Sequence, residues 1–442
     1  IAQTIAPQII FGSMGAKGKL PVSIDDEFKV NEGIETLEIK RLGFSIPENV
    51  GMNSKVLTKI DSIANYAISK KMTPGLQVVV ARKGKVIYQK SFGNHTYEST
   101  QKVNNTDVYD IASLTKIVAT LPNVMQEFDQ GHLTLETKLK TMLPEAKNSN
   151  KANATVLDML THQARFQPWI PFYKATLDSL NRPSTHFYRS EFSDEFPVHV
   201  ADKLYLRKNY NDTIVKTILD SELLPKKQYK YSDFTFILFK EYLELHNKKS
   251  LEDLAHANFF EPLGANSIMY NPLRKMNANR IIPTENDNYF RHQIVQGYVH
   301  DMAAAMQGGI SGHAGLFANA LDVAKVMQMF LQKGSYGGRT YISESTFNIF
   351  NTCYFCKDGN RRGVGFDKPQ LGNEGPTCGC VSLTSFGHTG FTGTMTWADP
   401  EKEIVYVFLS NRTFPDSNAT NKLSKENIRE NIQKVIYEAI IE

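Results

Sequence analysis

Segments that read as β-strands stand at both ends of this chain, with a mostly helical stretch between them, and this limits the available folds more than any other feature. Near the start, residues 76–81 and 86–91 flank a Lys83-Gly84 turn and read as a β-hairpin. Near the end, residues 394–398 and 404–410 alternate or run apolar and are joined at Asp399-Pro400. Amphipathic helices border both sets. Leu57, Ile60, Ile63, Ala64, Ala67 and Ile68 share one side of the first, which Pro74-Gly75 stops, and Ile428, Ile432, Val435, Ile436, Ala439 and Ile440 share one side of the last. The pattern implies an α/β (α+β) protein whose sheet is built from both chain ends around a helical insertion.

A chain of 442 residues, 41% hydrophobic and 22% charged, is long enough for that layout. Its formal charge of +4 is too small, and its Lys and Arg too dispersed, to suggest a nucleic-acid partner. No apolar run nears the roughly 20 residues needed to span a bilayer, so the chain is expected not to be transmembrane. It opens at Ile1 without Met or a signal-peptide pattern, which reads as a cut or processing boundary. The four cysteines cluster as Cys353-Tyr354-Phe355-Cys356 and Cys378-Gly379-Cys380. Two close pairs suit two disulfides, a four-thiolate structural zinc site or free thiols, and each alternative reads as loop stabilisation, not catalysis.

Chemistry concentrates at Asp110-Ile111-Ala112-Ser113-Leu114-Thr115-Lys116, where Ser113 is the candidate nucleophile. Leu114, Ile117, Val118, Leu121, Val124, Met125 and Phe128 follow at amphipathic-helix spacing, although Pro122 is expected to kink or split that helix and Gly131 to stop it. Positions three apart are neighbours on a helix, so Lys116 can reach the Ser113 hydroxyl. Unpaired N–H groups and the positive dipole end at a helix start can also hold an oxyanion. A serine hydroxyl needs a base within reach. One candidate is Lys116, with its pKa lowered by desolvation and by cationic or dipolar neighbours. The other is Tyr231, as base or relay and later as acid to the leaving group. Asp233 is well placed to cap the helical run through Phe234, Ile237, Leu238 and Tyr242. Ser99-Thr100-Gln101-Lys102 repeats the Ser-x-x-Lys spacing but starts no amphipathic helix. His162 and His313 read as structural. No cluster of His and carboxylate stands at metal spacing, so neither a catalytic metal nor a required cofactor is expected.

Residues 163–230 are aromatic, polar and irregular, with Trp169, Phe172, Tyr173, Phe187, Tyr188 and Phe192, and read either as a substrate-shaping lid or as a packed surface excursion. Residues 308–317 form a Gly-rich crossing that opens into a helix over 321–331, and residues 387–394 begin a strand.

In chain order, Ser113-x-x-Lys116, Tyr231-Ser232-Asp233 and His388-Thr389-Gly390 resemble the three motifs of serine β-lactamases and penicillin-binding proteins. The resemblance is to the group with a central tyrosine: class C β-lactamases, D-alanyl-D-alanine carboxypeptidases of that kind, D-aminopeptidases and family VIII esterases. It runs from about residue 46 to 442 and includes Leu160-Thr161-His162 and His313-Ala314-Gly315-Leu316-Phe317. It implies a β-lactamase/transpeptidase-like fold. An antiparallel sheet of five or more strands flanked by helices would occupy residues 46–125 and 290–442, with a mostly helical domain and lid-like insertion in 126–289 and the active site between them. It further implies Ser113, Lys116 and Tyr231 as catalytic residues, an oxyanion hole from the N–H groups of Ser113 and Phe391, and substrate contacts from Asp233, His388, Thr389 and Gly390. Two positions depart from the pattern. Asp233 stands where Asn is usual and His388 where Lys is usual, and a neutral imidazole is a weaker carboxylate anchor, which puts penicillin recognition in doubt.

Residues 1–45 read as an N-terminal arm. Within it, Ile9-Ile10-Phe11-Gly12 and Gly18-Lys19-Leu20-Pro21-Val22-Ser23-Ile24 resemble the C-terminal end of family 3 glycoside hydrolases, implying a β-N-acetylglucosaminidase domain covalently joined upstream; an ordinary extended arm is the alternative. The expected function is that of a metal-independent serine hydrolase, forming an acyl-enzyme on an ester, amide or D-amino-acid peptide bond. Its substrate would be a small molecule or peptidoglycan-derived, in the periplasm or cell envelope of a bacterium. The alternative is a non-catalytic module that binds muropeptide or glycan for an attached glycosidase.

Overall fold

In the computed structural model, which describes residues 2–372, 375–418 and 421–441, the two chain ends meet in one six-stranded sheet. Its strands in chain order are β1 (Gly43–Phe44), β2 (Gly75–Arg82), β3 (Lys85–Gly93), β4 (Phe386–Thr389), β5 (Met395–Asp399) and β6 (Ile404–Ser410). Their spatial order is β1-β3-β2-β6-β5-β4. The join between chain ends is the antiparallel β2/β6 pair, in register from Leu76 opposite Ser410 to Arg82 opposite Ile404. Only β1 runs parallel to its neighbour; the other pairings are antiparallel. Lys83 and Gly84 have φ of 50° and 70°, the left-handed pair that a two-residue hairpin turn needs to match strand twist.

Period-2 alternation sorts the strand side chains into two layers. Leu76, Val78, Val80, Ile404, Tyr406 and Phe408 pack with the helices Lys59–Ser69 and Ile428–Glu438. Val79, Ala81, Val405, Val407 and Leu409 face the other way, into a core shared with the helix Ala320–Leu331 and with the helical middle of the chain. Each such burial stabilises by about 1.5–3 kcal/mol, so the alternation pins the register.

Several local expectations change. The strand expected to begin within residues 387–394 is a short edge strand, β4, followed by a turn that leads into β5. Residues 163–230 are more ordered than their composition suggests. They hold a three-stranded antiparallel sheet of Tyr188–Arg189, Leu204–Leu206 and Val198–Ala201, and a helix Tyr210–Asp220. Phe172, Tyr173 and Tyr188 are buried in the core, while Trp169 and Phe192 are exposed. The N-terminal arm contains a helix Ala2–Ile10 and leaves Ile10, Phe11, Val22, Ile34 and Leu37 exposed. The cysteines form two short-range disulfides, Cys353–Cys356 and Cys378–Cys380, so no thiolate among them is left to ligate zinc. Among the described residues no helix is long and apolar enough to cross a membrane.

Candidate active site

Ser113 lies on a 3₁₀ turn, Ala112–Leu114, that passes into a π turn, Lys116–Thr120, and then the α-helix Leu121–Asp129. Pro122 does not split this run. It falls in the first turn of the α-helix, where a missing N–H leaves no bond unmade, and the π turn before it closes through Leu121 N–H to Lys116 O. Ala112 has φ of 47°, a left-handed conformation costing a non-glycine residue about 1–3 kcal/mol. Buried Asp110 holds it there: Oδ1 accepts the Ala112 N–H at 2.8 Å, and Oδ2 accepts the His300 N–H at 2.6 Å.

Lys116, one turn further along the same run, and Tyr231, from a distant segment, converge on the Ser113 hydroxyl. Lys116 Nζ donates to Ser113 Oγ at 2.8 Å and to the His313 carbonyl at 3.0 Å, and forms an ion pair with Asp233 Oδ1 at 2.7 Å. Tyr231 OH lies 3.2 Å from Ser113 Oγ. The expectation of a lowered Lys116 pKa is overturned. Burial acts to lower it, but the Asp233 carboxylate and the Tyr231 oxygen outweigh burial and hold the ammonium above its ordinary value. Burial, joined by the Asp233 charge, likewise pushes the Tyr231 phenol up, against the opposing pull of Lys116 and Arg362. Asp233 precedes the helix Phe234–Asn247 as expected, yet its side chain makes no cap hydrogen bond and turns to Lys116 instead.

The third motif closes against the nucleophile turn through the sheet edge. Thr392 Oγ1 donates to Asp110 O at 2.8 Å and Thr394 Oγ1 to Ile111 O at 3.2 Å. Gly390 allows this approach, since a Cβ there would lie 2.8 Å from Ile111 O. Phe391 sits in the turn so held, its ring exposed beneath the Arg412 guanidinium at 4.6 Å. His388 is buried, and its Nδ1 lies 2.7 Å from the Thr389 carbonyl, so Nδ1–H donates and Nε2 is left as a buried acceptor unpartnered among the described residues. Burial, with Arg362 and Lys116 nearby, drives the His388 pKa well below the ordinary imidazole value. A cleft lined by Trp169, Phe172, Asp233, Met302 and His313 borders this site, so the start of the 163–230 segment reaches it.

Residues 64–427, well over half of the chain, match the family described as Beta-lactamase. The chain belongs to the beta-lactamase family. Among curated relatives, a putative D-alanyl-D-alanine carboxypeptidase of Escherichia coli (strain K12) is 26% identical over 396 residues, covering 83% of this chain and 85% of the relative. An N-acetylmuramyl-L-alanine amidase of Bacillus subtilis (strain 168) is 27% identical over 395 residues, covering 83% of each. The fold is shared with EstCE1, described as a hydrolase with promiscuous acyltransferase activity, at a TM-score of 0.63 and 16% identity over 87% of this chain and 99% of that one. It is shared also with a penicillin-binding protein homologue from Caulobacter crescentus, at a TM-score of 0.58 and 15% identity over 82% of this chain and 93% of that one.

Within this beta-lactamase-family chain, spacing singles out Ser113, Lys116 and Tyr231 as candidates but not what surrounds them. Arg362 is buried with its guanidinium 5.3 Å from the centre of the Tyr231 ring, and no motif marks it. His162 packs on Tyr231 at 4.6 Å between ring centres and accepts the Ser232 N–H at Nδ1, 3.2 Å away, so it positions the second motif. His313 lends its carbonyl to Lys116, while its ring bonds Ser311 and Asp301. Away from this site, folding brings Glu127, His132 and His246 together, a grouping that spacing along the sequence does not show.

Proposed function

We propose that the chain is a serine hydrolase that forms an acyl-enzyme on Ser113 from an ester, amide or D-amino-acid peptide bond of a cell-wall-derived substrate. The observation that carries this reading is the convergence of Lys116 Nζ and Tyr231 OH on Ser113 Oγ, at 2.8 and 3.2 Å. Once the Tyr231 phenol has lost its proton to solvent, the Lys116 ammonium and the Arg362 guanidinium stabilise the phenolate, and Ser113 Oγ attacks the carbonyl carbon while its own proton passes to that oxygen. The N–H groups of Ser113 and Phe391 receive the oxyanion, and one such donor is typically worth about 3 kcal/mol in the transition state. Tyr231 then returns the proton to the leaving nitrogen or oxygen as its bond to carbon breaks. Water adds to the acyl carbon by the same route, with its proton passing to Tyr231 and on to Ser113 Oγ as the ester bond breaks.

The names of the carboxypeptidase and amidase relatives support a peptidoglycan-derived substrate in a bacterial envelope. The resemblance of residues 9–24 to a glycosidase end supports an upstream β-N-acetylglucosaminidase domain. His388, kept neutral, is a weak anchor for a carboxylate, so the reading ranks esters and amides alongside D-peptides and above penicillins.

Incubation with a fluorophosphonate, followed by peptide mass spectrometry, is expected to place the adduct on Ser113. A panel of esters and D-amino-acid peptides would then rank kcat/KM. If no adduct forms on Ser113 under conditions that label a related control, the hydrolase reading gives way to a non-catalytic muropeptide- or glycan-binding module.

A further inference from the structure

Away from the active site, Glu127, His132 and His246 aim three ligand atoms at one point. Glu127 Oε2 lies 2.8 Å from His132 Nδ1 and 3.3 Å from His246 Nε2, and the two ring nitrogens lie 3.2 Å apart. At most one hydrogen can occupy the line between two imidazole nitrogens, so hydrogen bonding alone serves this triangle poorly. A metal ion serves it well. Bonds of 2.0–2.2 Å in a tetrahedron put ligand atoms about 3.3–3.6 Å apart, so the two longer separations nearly fit as they stand and the Glu127–His132 contact needs to open by roughly half an ångström or a little more.

The surroundings favour a cation. Glu127 is buried, and its other oxygen accepts Asn247 Nδ2 at 2.8 Å, the kind of supporting bond that orients a ligating carboxylate. Glu127 lies in the last turn of the helix Leu121–Asp129, and His246 in that of the helix Phe234–Asn247. Both helices therefore turn the negative ends of their dipoles towards the cluster. His132 follows directly on Gly131, whose φ of 76° ends the first helix and folds the ring back, with His132 N–H donating to Glu127 O at 2.9 Å. The two rings remain partly exposed, at 42% and 39% of their side-chain surface, so solvent can fill a fourth position.

We propose that Glu127, His132 and His246 bind a divalent transition-metal ion, zinc by ligand type, that ties together two helices. One of these continues the helical run that begins at Ser113, and the other starts beside Tyr231 and Asp233. At about 1.5 Å per helical residue, the ion lies on the order of 20 Å from the reacting atoms, so it braces the site and takes no part in the chemistry.

The test uses untagged full chain stripped with a chelator and dialysed. Titration calorimetry with zinc chloride should show one site, Co²⁺ should give the visible absorption of a tetrahedral complex, and one equivalent of zinc should raise Tm. In His132→Ala and His246→Ala, each replacing a half-exposed ring, zinc affinity should fall by more than the roughly 10–100-fold that loss of a supporting residue costs, and the Tm shift should vanish. These readouts do not depend on turnover, so they stand or fall apart from the hydrolase reading. An unchanged Tm and no heat of binding at equimolar zinc, or an equal response in wild type and both variants, would overturn the proposal.

Discussion

Ser99-Thr100-Gln101-Lys102 and Ser113-Leu114-Thr115-Lys116 carry the same spacing in neighbouring stretches of one chain, and the fold treats them in opposite ways. Ser99 Oγ accepts the Gln101 N–H at 3.0 Å within a polar loop, and Lys102 is exposed. Lys116 is fully buried, bonded to Ser113 and the His313 carbonyl and paired with Asp233. A charge in water is screened and its partners are interchangeable; the same charge in a poorly polarisable interior acts strongly on each neighbour. Burial and third partners, more than spacing, separate the candidate nucleophile from an ordinary serine.

That contrast breaks most sharply at the nucleophile. Ser113→Ala should abolish labelling and lower kcat by about 10⁴-fold or more, as loss of a nucleophile does in serine enzymes generally. Ser99→Ala should leave both unchanged, and equal losses in the two variants would remove the distinction. Lys116→Met and Tyr231→Phe each delete a proton-handling or charge-stabilising group and should lower kcat by roughly 10²–10⁴-fold, whereas Lys102→Met should read as wild type. Stopped assays with one ester substrate decide this.

A smaller effect is expected at the close approach of sheet edge and nucleophile turn. The Cβ of Gly390→Ala would lie 2.8 Å from Ile111 O and collide with Thr394 Oγ1. Displacing that turn should cost about 1–3 kcal/mol of stability, read as a lowered Tm, and should slow acylation by shifting Phe391 N–H. The smallest change sharpens the electrostatic side of the comparison. Asp233 raises the pKa of both Lys116 and Tyr231. Activity that needs a proton to leave this coupled group therefore has its rising limb on the alkaline side. Asp233→Asn removes the raising charge, so the limb should move to lower pH and kcat/KM near neutrality should increase. A limb that stays in place or moves to higher pH would exclude Asp233 from tuning the base.

Much of the fold is local and therefore legible. Alternation at Leu76 to Ala81 and at Ile404 to Ser410 assigns each side chain to a face, and Lys83-Gly84 supplies the turn residues. Pro122 was misleading because its effect depends on where the first α-helical turn falls, which the π turn over Lys116–Thr120 shifts. The composition of residues 163–230 concealed a small sheet whose strands run two to four residues, too short for a period to show.

By itself the sequence determined which residue types stand at the three motifs and which faces of the helices and strands are apolar, because both are written at short spacing along the backbone. Only the tertiary structure decided the surroundings that raise the Lys116 pKa, the place of Arg362 beside Tyr231 and the meeting of Glu127, His132 and His246. Each of these depends on which distant groups share a desolvated space, and electrostatic energies change steeply with separation and burial while sequence distance records neither.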